Sequence, residues 1–105
     1  MTMRRGEVRW YKFASPDKMR PVVVLTRNSI IDHLGEVTVA PITTIIRDIP
    51  SEVPLGTHHG LPRQCAVNCD HVQTVTKSKL GAVVTTLPDA VMVDVRRALL
   101  FALGM

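Results

Sequence analysis

The spacing of apolar positions changes once along this chain, and the change divides it into a strand-rich body and a helical end. From Glu7 to Phe13 the side chains alternate, with Val8, Trp10 and Lys12 on one side and Arg9, Tyr11 and Phe13 on the other, the period of a strand. Pro21 to Thr26 reads Pro-Val-Val-Val-Leu-Thr, an almost continuous β-branched run that suits a strand covered on both faces. Glu36 to Ile42 alternates again, Val37, Val39 and Pro41 against Thr38, Ala40 and Ile42, and Pro41 argues for an edge or a strand end there. Ser51 to Leu55 predicts a short strand, Gln64 to Val75 a long or bent one, and Gly81 to Thr85 the last. The connections carry turn chemistry. Ala14 to Lys18 is a turn, Arg27 to Leu34 a polar link with one helical turn, Gly56 to Pro62 a loop, and Lys77 to Leu80 a tight turn.

From Pro88 to Gly104 the period becomes helical. Val91, Met92, Val95, Ala98, Leu99, Ala102 and Leu103 share one face and Arg96 and Arg97 occupy the other, the pattern of an amphipathic helix. Pro88 fits the first turn and Gly104 the position just past the end. Thr86 is the nearest hydroxyl available as an N-cap. Many short strands followed by one helix predict a mainly β protein with α, a small, strongly bent sheet or barrel with the helix packed on it.

Composition narrows the class. With 105 residues, 46% hydrophobic and 21% charged, the chain is one globular domain, residues 1–105. Lys plus Arg is 13 and Asp plus Glu is 9, so 13 − 9 gives +4, a basic balance that suits a polyanion partner. The four aromatics are Trp10, Tyr11, Phe13 and Phe101, too clustered for the usual stacking platform on nucleic acid. No apolar window reaches transmembrane length and no signal-peptide pattern follows Arg4-Arg5, so no membrane role is expected and the cytoplasm is the expected location.

Two cysteines, Cys65 and Cys69, are too few for a disulfide scaffold. Read on one strand, Cys65 and Cys69 lie four residues, about 13 Å, apart. That is too far to share an ion, even with His71 on the same side. No metal site and no cofactor are expected. The cysteines read as small buried hydrophobes, and His58 and His59 as loop residues. Phosphate-binding glycine loops, His-Glu-x-x-His, Cys-x-x-Cys and Gly-x-Ser-x-Gly are all absent, which removes kinase, zincin, zinc-ribbon and α/β-hydrolase chemistry.

Five segments in order carry a resemblance: Arg4-Arg5-Gly6-Glu7-Val8-Arg9-Trp10, Met19-Arg20-Pro21-Val22-Val23-Val24-Leu25, Val37-Thr38-Val39-Ala40-Pro41-Ile42-Thr43-Thr44, Cys69 to Leu80, and Ala98 to Gly104. Together they resemble the MazF/PemK family, toxins of bacterial type II toxin–antitoxin modules, over nearly the whole chain. The resemblance implies an SH3-like barrel of the CcdB/MazF/PemK type with a C-terminal helix. It implies a homodimer that arrests growth by cutting single-stranded RNA at short sequence motifs without a metal. A MazE-like antitoxin would neutralise it by laying its C-terminal tail over the RNA groove.

The resemblance also implies residue roles. Arg20 stands where the family has its catalytic arginine and Thr43 where it has its catalytic threonine; Thr44 is the adjacent competitor, and strand parity lets only one of the two face the site. Asp70 and His71 match the family's groove-lining pair, with His71 in place of the usual glutamine, and Lys18 is a further expected RNA contact. Arg27 is a departure, standing in Thr26-Arg27-Asn28 where the family often has Ser-Asn or Asn-Asp, and is expected to add a phosphate contact. The loop before Arg20, Ala14 to Met19, is shorter than the family's.

Those residue types suit the reaction. Without a metal the RNA's own 2′-hydroxyl attacks phosphorus, so the protein must stabilise a more negative phosphorane. A guanidinium presents donors in a plane to phosphate, and a threonine hydroxyl can donate to a non-bridging oxygen. Arginine stays protonated near neutrality, so Arg20 is assigned to transition-state stabilisation, with a role as acid towards the leaving 5′-oxygen open. The general base is unassigned, His71 being a candidate because histidine titrates near neutrality. Two binding-only alternatives stand beside the enzyme. One is a CcdB-like inhibitor, against which the ending Leu103-Gly104-Met105 and the single Trp10 argue. The other is a degenerate toxin that binds only antitoxin or nucleic acid.

Overall fold

The computed structural model describes residues 2–14 and 19–105. Among these residues, seven strands, two α-helices and three short 3₁₀ turns occur, the strands and helices in the order β1 (Glu7–Lys12), β2 (Met19–Val24), α1 (Asn28–Ile31), β3 (Glu36–Thr43), β4 (Glu52–Leu55), β5 (Cys65–Asn68), β6 (Gln73–Thr76), β7 (Val83–Thr86) and α2 (Asp89–Leu103). The 3₁₀ turns are Thr57–His59, Cys69–His71 and Lys77–Lys79. The sheet runs β4-β5-β3-β2-β1-β7, with β6 also paired to β3. All the recorded pairings are antiparallel. This is the mainly β sheet with a terminal helix that the change of period predicts.

The β-branched run is central because it has apolar partners on both sides. Val22, Val23 and Val24 each have no exposed surface. Val23 joins Val8, Ala40, Ile42, Val67, Cys69 and the α2 residues Val95 and Ala98 in one core. Val22 and Val24 join Met3, Ile31, Val37, Val39, Val75 and Leu80 in a second, edged by Tyr11 and Phe13. Strand alternation therefore feeds two cores from one strand, and burying each valine contributes roughly 1.5–3 kcal/mol.

The region read as one strand from Gln64 to Val75 is instead β5, a 3₁₀ turn and β6. The physical reason lies in β3, which pairs with β6 at Val37–Val75 and Val39–Gln73 and with β5 at Ile42–Val67 and Thr43–Ala66. Both partners lie on the same side of β3, so the returning chain must leave the ladder between them. Asn68 supports the break, its side-chain oxygen accepting from the Asp70 N–H at 3.1 Å. Pro41, which has no N–H to offer a ladder, sits where β3 changes partners.

At the C-terminus, Gly104 is left-handed at φ 71. Its N–H donates to the Phe101 carbonyl at 3.1 Å, and that of Met105 to the Leu100 carbonyl at 2.8 Å, the paired bonds of a Schellman cap. At the other end Pro88, rather than Thr86, occupies the N-cap, and no side chain caps the helix. Leu103, placed on the buried face by periodicity, is 60% exposed because it lines an open cleft rather than the closed core.

The loop between β4 and β5 docks on β7 at Gly60, which has φ +89; a Cβ built there would lie 2.6 Å from Thr85 Oγ1 and 2.8 Å from its Cβ. Gly60→Ala combines backbone strain with a clash against a strand, and is expected to destabilise the fold by about 2–4 kcal/mol. Urea unfolding measures it. Thr85→Ala should not rescue the loss, because the Thr85 Cβ remains.

Candidate active site

Arg20 is the second residue of β2 and sits opposite Tyr11 of β1. On its other edge β2 meets β3 at Val22–Pro41, Val23–Ala40 and Val24–Val39. Two residues beyond Val22 is Arg20, and two beyond Pro41 is Thr43. Parity therefore places Arg20 and Thr43 on one face of the sheet, at the end of the second core. Thr44 lies past the last residue of β3, so of the two threonines Thr43 is the one held in the strand on that face.

Arg20 is exposed and, among the described residues, makes no ion pair. Thr43 is half-buried, and its Oγ1 accepts a hydrogen bond from the Ile45 N–H at 3.0 Å. A hydroxyl has one proton to give and two lone pairs. With one lone pair engaged locally, the proton is left for an acceptor above the sheet. The arrangement presents two kinds of donor, guanidinium and hydroxyl, from adjacent strands.

Asp70 and His71 lie on the 3₁₀ turn that separates β5 from β6, and both are exposed. That turn runs beside β3 on the edge opposite β2, so β3 has Arg20 on one flank and Asp70 and His71 on the other. The Asp70 carboxylate accepts from Ser51 Oγ at 2.5 Å, and the Cys69 N–H donates to the Ser51 carbonyl at 3.0 Å. Ser51, Glu52 and Asn68, which fix this geometry, have no signature in the sequence. Glu52 is a charged residue in a short strand that periodicity alone would leave in solvent, and only its burial reveals it.

Lys18 lies outside the described residues, as does most of the short loop before Arg20. Arg27 lies beyond the opposite end of β2, more than about 13 Å from Arg20 by strand rise. There it lines an open cleft of about 720 Å³ with Thr26, Leu34, Thr38, Leu99 and Leu103, and a second cleft of about 560 Å³ follows α2 past Leu87, Asp89, Met92 and Arg96. Neither cleft includes Arg20 or Thr43. Among the described residues no three His, Cys, Asp or Glu side chains gather as metal ligands, and no helix is long and apolar enough to cross a membrane.

The fold and this surface define a small-barrel protein whose convergent polar groups lie on the sheet itself rather than in a cleft. The chain belongs to the PemK-like, MazF-like toxin family of type II toxin–antitoxin systems, whose pattern matches residues 4–103. It is 47% identical over 68 residues to Endoribonuclease MazF3 of Mycobacterium tuberculosis, a match covering 65% of this chain and 66% of that one. It is 37% identical over 89 residues to Probable endoribonuclease MazF2 of the same species, covering 84% and 85%. The solved structure of the Mycobacterium tuberculosis toxin MazF-mt6 superposes with a TM-score of 0.86 at 34% identity, covering 94% of this chain and 97% of that one. An endoribonuclease in complex with its cognate antitoxin, from a mycobacterial species, gives 0.87 at 28% identity, covering 99% and 97%.

Cys65 and Cys69 are free and buried, as small hydrophobes are expected to be. Burial raises the Cys65 thiol above its ordinary range. Burial, and then the Asp70 carboxylate beside it, push Cys69 up to about 11. In the unfolded chain both thiols lose their protons first, so the unfolded state binds fewer protons as the solution becomes alkaline. Stability should hold below the ordinary thiol range and fall from about pH 8 towards about pH 11. Urea midpoints across that window should drop, and Cys69→Ala should flatten the drop.

Proposed function

We propose that this chain is the toxin of a type II toxin–antitoxin pair and acts as a metal-independent, sequence-specific endoribonuclease on single-stranded RNA. The observation that carries the reading is the placement of Arg20 and Thr43 on one face of neighbouring strands in a chain of this family. In the proposed step the substrate's 2′-hydroxyl loses its proton and attacks the adjacent phosphorus. The bond from phosphorus to the 5′-oxygen breaks, that oxygen takes up a proton from water or from a protein acid, and the products are a 2′,3′-cyclic phosphate and a free 5′-hydroxyl.

Arg20 and Thr43 are the catalytic residues of this reading. The Arg20 guanidinium offers parallel donors to the non-bridging oxygens as their charge grows. The Thr43 proton, left free by the bond from Ile45, donates to the same phosphorane. Thr44, Asp70 and His71 contact the flanking nucleotides, and Lys18 and Arg27 contribute phosphate contacts further along the strand. His71 is exposed on the turn beside β3 and is assigned either as a base reader or as the base that removes the 2′-proton.

The partners follow from the same reading. The chain is expected to act as a homodimer, in which two copies at +4 each present a basic surface of about +8 to RNA. A cognate MazE-like antitoxin competes for that surface, and the cytoplasm is where both would meet RNA. A toxin whose active groups lie open on a sheet can be blocked by any segment that covers them, which suits control by a bound partner.

Purified protein should cut a mixed-sequence single-stranded RNA in EDTA. A single 2′-deoxy substitution at the cut site should abolish cleavage there while leaving binding intact. Arg20→Ala and Thr43→Val should each lower the rate about a hundred- to a thousandfold. Gel analysis of 5′-labelled RNA reads all three, and intact RNA with wild-type protein across varied sequences would overturn the reading in favour of a binding-only toxin.

A further inference from the structure

The connection from Thr43 to β4 ends on a buried carboxylate that the chemistry above does not use. The side chain of Glu52 is 2% exposed, and a carboxylate taken out of water is costly unless it is paired and hydrogen-bonded. Both of its oxygens are engaged by a single residue. Oε1 accepts from the Arg47 backbone N–H and Oε2 from the Arg47 Nε, each at 2.9 Å. The Glu52 N–H in turn donates to the Ile49 carbonyl at 2.9 Å.

Inside this closed loop Asp48 has φ 55, the one positive φ outside glycine among the described residues. Aspartate tolerates this conformation better than most residues. The clamp on Arg47 closes the loop around it, and two residues before Arg47 is Ile45, whose N–H holds the Thr43 hydroxyl. Ser51, the neighbour of Glu52, ties down the turn bearing Asp70 on the other flank. The start of β4 therefore anchors both the connection that follows Thr43 and the turn that bears Asp70.

We infer that Glu52 is a positioning residue for the proposed ribonuclease reaction: its carboxylate clamps Arg47 and so holds the Ile45 N–H that aims the Thr43 proton. The inference rests on the ribonuclease reading. It concerns orientation only, so Glu52 does not touch RNA and takes no proton from it. A misplacement near 1 Å of a group acting in the transition state costs on the order of a hundredfold in rate. The effect of loosening the clamp should therefore be large although Glu52 is remote from the phosphate.

Glutamine at this position is isosteric and its amide can accept one of the two bonds, not both. Glu52→Gln should lower kcat about ten- to a hundredfold with KM nearly unchanged, and the loss should largely vanish when Thr43 is already valine. Single-turnover cleavage by wild type, the two single variants and the double variant supplies the comparison, with urea unfolding of each as the control for folding. If Glu52→Gln fails to fold, Arg47→Ala keeps the carboxylate with fewer bonds and should show the same dependence on Thr43 at smaller size. Full activity in a folded Glu52 or Arg47 variant overturns the inference, and so does a loss that persists at full size beside Thr43→Val. A wild-type protein that cleaves no RNA overturns the ribonuclease reading itself and takes this inference with it, whereas wild-type cleavage with an undiminished variant overturns the clamp alone.

Discussion

One edge of β3 has to satisfy two neighbours, and most of the molecule's functional geometry follows from how it does so. A strand edge can hydrogen-bond one partner at a given residue, so β5 and β6 take successive parts of the same edge. The chain that links them must step out of the sheet, and it does so as the 3₁₀ turn Cys69–His71. Cys69 goes inward to the core beneath α2, and Asp70 and His71 are left outside. On the opposite edge β2 follows β3 from Val24 to Val22 and continues to Arg20. Thr43, just past the exchange, lies between these groups because β3 alone is common to them.

The two cores make this arrangement rigid where it must be. The face carrying Val22, Val37 and Val39 ends at Arg20 and Thr43, while the face carrying Val23, Ala40 and Ile42 supports α2. The polar groups therefore stand at the rim of one core, on strands whose central residues have no exposed surface. Close packing of β-branched side chains leaves such strands little freedom to shift, and the end residues inherit that precision. The loop from Thr44 to Pro50 has no such backing: Ile45 is 74% exposed, and hydrogen bonds do there what packing does in the strands.

Much of this was legible in the residues, for reasons that are local. The valine run at Val22–Val24 can only be a doubly covered strand in so small a protein, and the helix from Asp89 to Leu103 declares itself by period and by Gly104. Arg20 and Thr43 were legible through their motif neighbours, Pro21 on one strand and Pro41 on the other, and register then puts them on one face. The break at Cys69–His71 was not, because Gln64 to Val75 is apolar enough to read as one strand. The reason for breaking it lies in β3, some thirty residues earlier. Nor was Glu52, since a buried acid looks like a solvated one until its partner is known, and its partner is a backbone N–H and a side chain of a loop without periodicity. Arg27 shows the converse, since its charge and its place near Arg20 in sequence suggest a shared site, but the extended chain carries it to the far end of β2.

Placing the proposed reacting groups, Arg20 and Thr43, on an open sheet face rather than in a cleft has a cost and an advantage that both follow from electrostatics. Exposed donors act in high dielectric, where each charge–charge contact is weak, so catalysis there depends on donors that need no reorganisation when charge develops. The Thr43 hydroxyl, with one lone pair already engaged by the Ile45 N–H, meets that demand, whereas the exposed Arg20 guanidinium brings a planar donor fork that a phosphate must still order. The open face in return accepts a long, flexible polyanion without a mouth to thread. The same openness lets a second chain cover the groups completely, so an activity that stabilises its transition state from an exposed surface is also one that a bound partner can switch off.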